Sequence, residues 1–211
     1  MNKKKILVGL DRDGTINYDT GYFGKDDSWE EKLKIYSGVI EGIKNLNQNP
    51  LIKIIVATNQ AGVARGYYDC ERIEEINNYI DEIFKSNKAL VEGWYYCPFV
   101  GKEYAKEKNI PSENNWVRET DMRKPGIGML KKACNNLGLN LEDLKVYFIG
   151  DKKSDVETGL NCNGKGILIP NKGIGSDFKK VEEMRKNYPK RVFIAPNFLE
   201  ACRIVLSNTK F

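Results

Sequence analysis

The chain has 211 residues, of which 41% are hydrophobic and 30% charged. That is an ordinary globular composition, long enough for one domain with a sizeable core or two small ones. A net charge of +5, from 34 basic and 29 acidic residues, favours anionic partners mildly and does not single out nucleic acid. There is no histidine, so acid–base chemistry falls to carboxylates, lysine, tyrosine, cysteine or metal-bound water.

In chain order, Lys3 to Lys5 lead into the apolar run KILVGL, residues 5–10. The run is too short for a signal peptide and stops at two aspartates, so it reads as a buried strand. Val39, Ile40, Ile43 and Leu46 share one helical face. The next strand is IKIIVAT, residues 52–58. A helix follows with the stripe Ile73, Ile76, Ile80 and Ile83, capped at Asp69 or Cys70. A short strand, WYY, occupies 94–96. Residues 97–122 are polar, hold Pro98 and Pro111, and show little periodicity, as expected of a long functional or mobile connection. A helix is expected over 125–137, opening at Pro125 and stopping at Gly138. Strands KVYFIG (145–150), GILIP (166–170) and RVFIA (191–195) follow, and Asn197 is placed to cap a last helix through Leu206. Strands alternating with helices predict an α/β fold on a mainly parallel sheet. No apolar run is long enough to span a membrane. Cys70, Cys97, Cys134, Cys162 and Cys202 are scattered and odd in number, which suits a reducing, cytoplasmic setting better than a disulfide framework.

In an open parallel sheet, ligands bind beyond the carboxyl ends of the strands. Four polar motifs fall there: Asp11 and Asp13 after the first strand; Thr58, Asn59 and Gln60 after the second; Lys124 before the helix expected at Pro125; and Asp151 and Asp155 after KVYFIG. Each alone has a plain alternative. Asp-Gly often marks a turn, a lysine is commonly solvated, and acids at 151 and 155 favour a helix N-terminus. In this order, at strand ends, the four together are specific. Residues two apart in extended chain point the same way, so Asp11 and Asp13 can reach one site.

The segments LDRDGTIN, TNQAGVARGYY, YYCP, RKPGIGM and GDKKSDVETG resemble the haloacid dehalogenase (HAD) superfamily of phosphohydrolases. They are most similar to its D,D-heptose 1,7-bisphosphate and histidinol-phosphate phosphatase branch. The resemblance covers about residues 5–170. It implies a three-layer Rossmann-like fold in a single domain, residues 1–211, without a large cap. Loops near 17–36 and 97–122 then shape an open site.

The resemblance also implies roles. Asp11 is the nucleophile that forms an aspartyl-phosphate, and Asp13 the general acid and base. Thr58 and Lys124 hold phosphate oxygens. Asp11, Asp151 and the backbone carbonyl of Asp13 bind Mg²⁺, with Asp155 a ligand through water or an orienter. Asn59, Arg65, Arg123 and Lys152 contact substrate, with Arg65 a candidate for a second anionic group. The implied substrate is a small phosphorylated metabolite, a sugar phosphate or bisphosphate. Alternatives are a polynucleotide 3′-phosphatase, with Tyr22, Tyr67 and Tyr68 available to stack on a base, and a histidinol-phosphate phosphatase. A catalytically silent phosphometabolite-binding module is the non-enzyme alternative. A monomer is the default. The branch's zinc loop carries Cys-x-His and Cys-x-Cys pairs; here Cys97 stands alone, with Phe99, Thr120 and Met122 at the other positions. One thiolate is too few for a structural zinc, so no zinc is expected.

Overall fold

The computed structural model describes residues 4–170 and 177–207; Lys3, at the head of the basic cluster, lies outside them. Six strands form one sheet: β1 (Ile6–Leu10), β2 (Ile52–Asn59), β3 (Gly93–Cys97), β4 (Lys145–Gly150), β5 (Lys165–Leu168) and β6 (Val192–Ile194). Their order is β3-β2-β1-β4-β5-β6, and every neighbouring pair is parallel. The sheet expected to be mainly parallel is wholly so across these strands.

Among the described residues eight helices accompany it: α1 (Trp29–Lys32), α2 (Val39–Asn47), α3 (Cys70–Ser86), α4 (Lys102–Glu107), α5 (Gly128–Asn136), α6 (Lys153–Asn161), α7 (Phe178–Asn187) and α8 (Phe198–Ser207). The alternation of β1 sorts the core into two faces. Ile6, Val8 and Leu10 pack with side chains of α2, α3 and α8, while Leu7 packs on the opposite face with Met129, Leu130 and Ala133 of α5. Val156 of α6 and Val181 of α7 bury a smaller cluster against β5 and β6. Gly9, the other residue facing α5's side, is glycine because a Cβ there would lie 2.6 Å from the ring of Phe148 on β4. These are the three layers, helix, sheet and helix, of a Rossmann-like α/β fold.

Asp69 settles the open choice of cap for α3, since its carboxylate accepts the backbone N–H of Arg72 at 2.9 Å. The buried stripe runs Ile73, Ile76, Ile80 and Phe84; Ile83, expected in it, is only half-buried. Asn197 accepts the N–H of Glu200 at 3.0 Å and caps α8, which runs one residue past Leu206.

One expectation needs correction. The helix read from Pro125 begins at Gly128. Residues 121–128 instead make a tight turn, with Gly126 N–H donating to Arg123 O at 2.7 Å and Gly128 N–H to Asp121 O at 2.8 Å. A Cβ on Gly126 would overlap the Asp121 carbonyl, so close backbone approach, not helix initiation, is what RKPGIG encodes. The end at Gly138, with φ +62°, is as expected. Of the alternatives open for residues 97–122, the structure shows an ordered segment. It holds α4 and a parallel bridge between Val100 and Val117, and it closes a small core of its own. There Val100, Ala105 and Ile110 pack with Tyr104 and Trp116 against Ala61 and Ala64.

No helix of the described residues is long and apolar enough to cross a membrane.

Candidate active site

The strand order reverses between β1 and β4, and a crevice opens beyond their carboxyl ends. The ladder continues one step past β1, because Asp11 N–H donates to Ile149 O at 2.9 Å. The chain then turns sharply. Ile16 N–H donates to Arg12 O at 2.8 Å, and Gly14 adopts φ +92°. A side chain on Gly14 would overlap the carboxylate of Asp151, so the glycine lets β4's acid close on β1's turn.

Asp11 and Asp155 share one ammonium. Lys124 Nζ lies 2.6 Å from Asp11 Oδ1 and 2.6 Å from Asp155 Oδ1, with all three side chains almost fully buried. The RKPGIG turn delivers that lysine, and Asn59 pins it. Asn59 Oδ1 accepts the Lys124 backbone N–H at 3.0 Å, and its amide donates to Lys124 O at 3.1 Å. Burial works against the charge on Lys124, but the carboxylates of Asp11 and Asp155 outweigh it and raise its pKa, so it remains an ammonium. Asp155 also accepts the Lys152 backbone N–H at 2.9 Å, capping α6. Burial and then the charge of Asp11 push the carboxyl of Asp151 up to about 8, and burial raises Asp155 too.

Ligand oxygens of Asp11, Asp151 and Asp155 all lie within 4.8 Å of one another. Asp151 Oδ1 is buried with no hydrogen-bond partner among the described residues. A buried carboxylate oxygen left without a donor is costly, and three hard oxygen donors this close suit a small divalent cation. The donor set therefore fits the expected metal.

Asp13 is held differently. Its carboxylate accepts from Arg12 at 2.9 and 3.2 Å, from Asn17 at 3.0 Å and from Gln60 at 2.8 Å. Burial would raise its pKa, yet Arg12 and these hydrogen bonds hold it below the usual carboxylate range. Arg12 is itself fully buried and locked to Asn77 of α3 at 2.8 Å.

A cavity of about 460 Å³ opens beside these groups, and Asp151 is not among its lining residues. Asp11, Asp13, Thr58, Asn59, Lys124 and Asp155 lie on its floor side of the sheet, and Arg123, Lys152, Asp19, Tyr22 and Tyr104 also line it. Arg123 donates to Phe99 O at 3.2 Å and sits over Tyr104. Lys152 faces Asp19 at 3.8 Å. The loops 17–36 and 97–122 meet where the Tyr22 and Tyr104 hydroxyls come within 3.2 Å.

Arg65 is not among the residues lining the cavity. It is half-buried, donates to the Tyr22 hydroxyl, and lies beside the Tyr22 and Tyr67 rings. Tyr68 does not offer its hydroxyl to the outside, since it donates to Gln60 Oε1 at 2.8 Å. Gln60, Asp19 and Tyr104 carry no role predicted from sequence. Only Gln60 had a signal, its place in the TNQ run at a strand end. Cys97 is buried among apolar neighbours, including Phe99 and Met122, and burial raises its thiol pKa.

The family described as polynucleotide kinase 3 phosphatase matches residues 7–187. Among curated proteins, the D-glycero-D-manno-heptose-1,7-bisphosphate 7-phosphatase of Chlorobaculum tepidum is 33% identical over 172 residues, 80% of each chain. The D-glycero-beta-D-manno-heptose-1,7-bisphosphate 7-phosphatase of Escherichia coli K12 is 31% identical over 170 residues, 80% of this chain and 81% of that one. In fold, the chain is similar to the D,D-heptose 1,7-bisphosphate phosphatase of B. bronchiseptica, complexed with magnesium and phosphate. That likeness has a TM-score of 0.69 at 20% identity, covering 96% of this chain and 98% of that one. The Burkholderia thailandensis enzyme of the same name superposes with a TM-score of 0.58 at 19% identity, over 96% and 99%. With two carboxylates at the end of β1, a buried lysine and an acidic trio at the switch point, the chain belongs to the polynucleotide kinase 3 phosphatase family and is a HAD-type phosphatase.

Proposed function

We propose that this phosphatase hydrolyses a phosphomonoester of a small phosphorylated sugar, with a heptose 1,7-bisphosphate as the substrate of choice. The observation that carries the chemistry is the Lys124 ammonium bridging Asp11 and Asp155 on the floor of the cavity. The curated relatives named above support the sugar.

In this reading Asp11 attacks phosphorus. Lys124 engages Oδ1, and Oδ2 carries no hydrogen bond among the described residues. The nucleophile is thus oriented and its charge partly screened before substrate arrives. Displacement gives an aspartyl-phosphate and an alkoxide, and Asp13 protonates the leaving oxygen. An arriving phosphate dianion opposes the carboxylate charge of Asp13 and draws its proton affinity upward, against the pull of Arg12. Asp13 then takes a proton from the water that cleaves the acyl-phosphate. Thr58 donates its hydroxyl to a phosphate oxygen. Arg123 and Lys152, on the cavity wall, meet the rest of the substrate; Arg65 acts through Tyr22, behind the wall.

Asp11, Asp151 and the Asp13 carbonyl would hold Mg²⁺, with Asp155 close by. The cation supplies charge neutralisation between carboxylates and phosphate. On this reading the 97–122 loop needs no zinc, and its small core around Val100 and Trp116 supports that. Metal analysis of protein purified without chelator should find zinc well below one equivalent. The protein works as a cytoplasmic monomer.

Phosphate release in Mg²⁺ from heptose 1,7-bisphosphate, other sugar phosphates, histidinol phosphate and a 3′-phosphorylated oligonucleotide tests the reading. Turnover greatest on the sugar bisphosphate and abolished by Asp11→Asn or chelation is expected. Preference for the oligonucleotide, steeply weakened by salt, would move the chain to the polynucleotide class. Binding without turnover on every substrate would make it a silent module.

A further inference from the structure

The segment after β2 builds a device beyond Thr58. Gln60 is 2% exposed, and its backbone N–H donates to Cys97 O at 2.8 Å, so its position is fixed by the sheet. Its side-chain amide donates to Asp13 Oδ2 at 2.8 Å and to Thr58 Oγ1 at 2.9 Å. Its Oε1 accepts from the Tyr68 hydroxyl at 2.8 Å. Both N–H bonds and the carbonyl are therefore engaged. A flipped amide would set oxygen against a carboxylate, which fixes the orientation.

Tyr68 reaches Gln60 because the chain between them reverses. Tyr67 N–H donates to Gly62 O at 2.9 Å, and Gly66 takes φ +68°. The Tyr68 phenol then lies where any side chain on Gly62 would stand.

Three side chains hold Asp13, but they are not equivalent. Arg12 and Asn17 belong to the same turn as Asp13 and move with it. Gln60 directly follows β2, so among the described residues it alone ties the Asp13 carboxylate to the frame that carries Thr58. It also occupies an acceptor position of the Thr58 hydroxyl, which leaves that hydroxyl's hydrogen to be donated elsewhere.

We infer that Gln60, braced by Tyr68, is a positioning residue for leaving-group protonation: it aims Asp13 at the leaving oxygen and sets the Thr58 hydroxyl as a donor. This rests on the reading of Asp13 as general acid. It predicts a dependence on the leaving group, because an alkoxide needs the proton and p-nitrophenolate does not.

The test compares kcat/KM, which reports the steps through leaving-group departure, for heptose 1,7-bisphosphate and for p-nitrophenyl phosphate. Gln60→Met keeps the length and removes the hydrogen bonds. Its kcat/KM on the sugar phosphate should fall about 30-fold, and on the aryl phosphate less than about 3-fold, a skew of roughly tenfold. Tyr68→Phe should skew the ratio the same way by less, and it carries the test if Gln60→Met does not fold. Equal losses on both substrates, as a merely structural role would give, overturn the inference. Asp13→Asn separates the two failures. If it skews the ratio and the Gln60 and Tyr68 variants do not, the positioning role alone is wrong. If it does not skew the ratio either, the general-acid reading falls and the inference with it.

Discussion

In the proposed mechanism Lys124 carries both fold and chemistry. It is buried between Asp11 and Asp155, and its ammonium balances two of the three clustered acids. Replacing it by Met leaves those carboxylates packed together without a counter-charge. Breaking a buried pair in this way costs about 3–5 kcal/mol, and losing a preorganised cation at a phosphoryl site costs about 10²–10³-fold in rate. Lys124→Met should therefore unfold at a lower temperature than the parent chain and release phosphate at least about 100-fold more slowly. Paired thermal melts and phosphate assays check this; a variant as stable and as active as the parent would remove Lys124 from the site. The lysine's place was legible because it sits in RKPGIG between two strand-end motifs. The Asn59 clasp on its backbone was not, since Asn59 and Lys124 are 65 residues apart and nothing local in either segment requires the pair.

Helices α2 and α8 illustrate packing that the sequence half reveals. Both bury an apolar stripe, and both formed where the sequence placed them, α2 by its periodicity and α8 by the cap at Asn197. Their contact depends on Gly42, where a Cβ would lie 2.7 Å from Phe198 and 2.8 Å from the Cys202 sulfur. That close approach buries Cys202, and burial pushes its thiol up to about 12. The neutral thiol is thus favoured in the folded state. Its contribution is full below the unfolded thiol's ordinary value near 9. It is lost as pH rises from there towards 12, at up to about 1.4 kcal/mol per pH unit. Denaturant unfolding at pH 8 and pH 10 should show a smaller loss of stability for Cys202→Ala than for the parent, whatever the alanine costs at pH 8. Equal slopes would show that Cys202 is not the titrating group. Other elements were harder to read. α7 buries only Val181, so its pattern is nearly all polar. α4 has six residues, too few for a period, and it exists because Ala105 and Tyr104 pack on the 61–64 segment.

Over the whole molecule, the order β3-β2-β1-β4-β5-β6 brings together groups spread from Asp11 to Asp155. The motif order along the chain revealed that convergence; the way loops 17–36 and 97–122 meet through Tyr22 and Tyr104 depended on tertiary contacts that no local pattern encodes. Convergence has a thermodynamic cost in the metal-free protein. The trio gathers acids around a partnerless Asp151 oxygen, and burial with the charge of Asp11 opposes ionisation there. A cation that binds only the folded state offsets this. At 100 times its dissociation constant a ligand adds about 2.7 kcal/mol, and a chain of this size gains about 2–4 °C per kcal/mol. Saturating Mg²⁺ should thus raise the melting temperature by roughly 5–10 °C. Ca²⁺, larger and fond of more ligands, should stabilise without supporting turnover. Asp151→Asn should abolish most of the Mg²⁺ shift while melting no lower than the parent does without metal, because it removes an acid that burial disfavours. A full Mg²⁺ shift in Asp151→Asn would place the cation elsewhere and would leave the acidic trio a structural cluster bridged by Lys124.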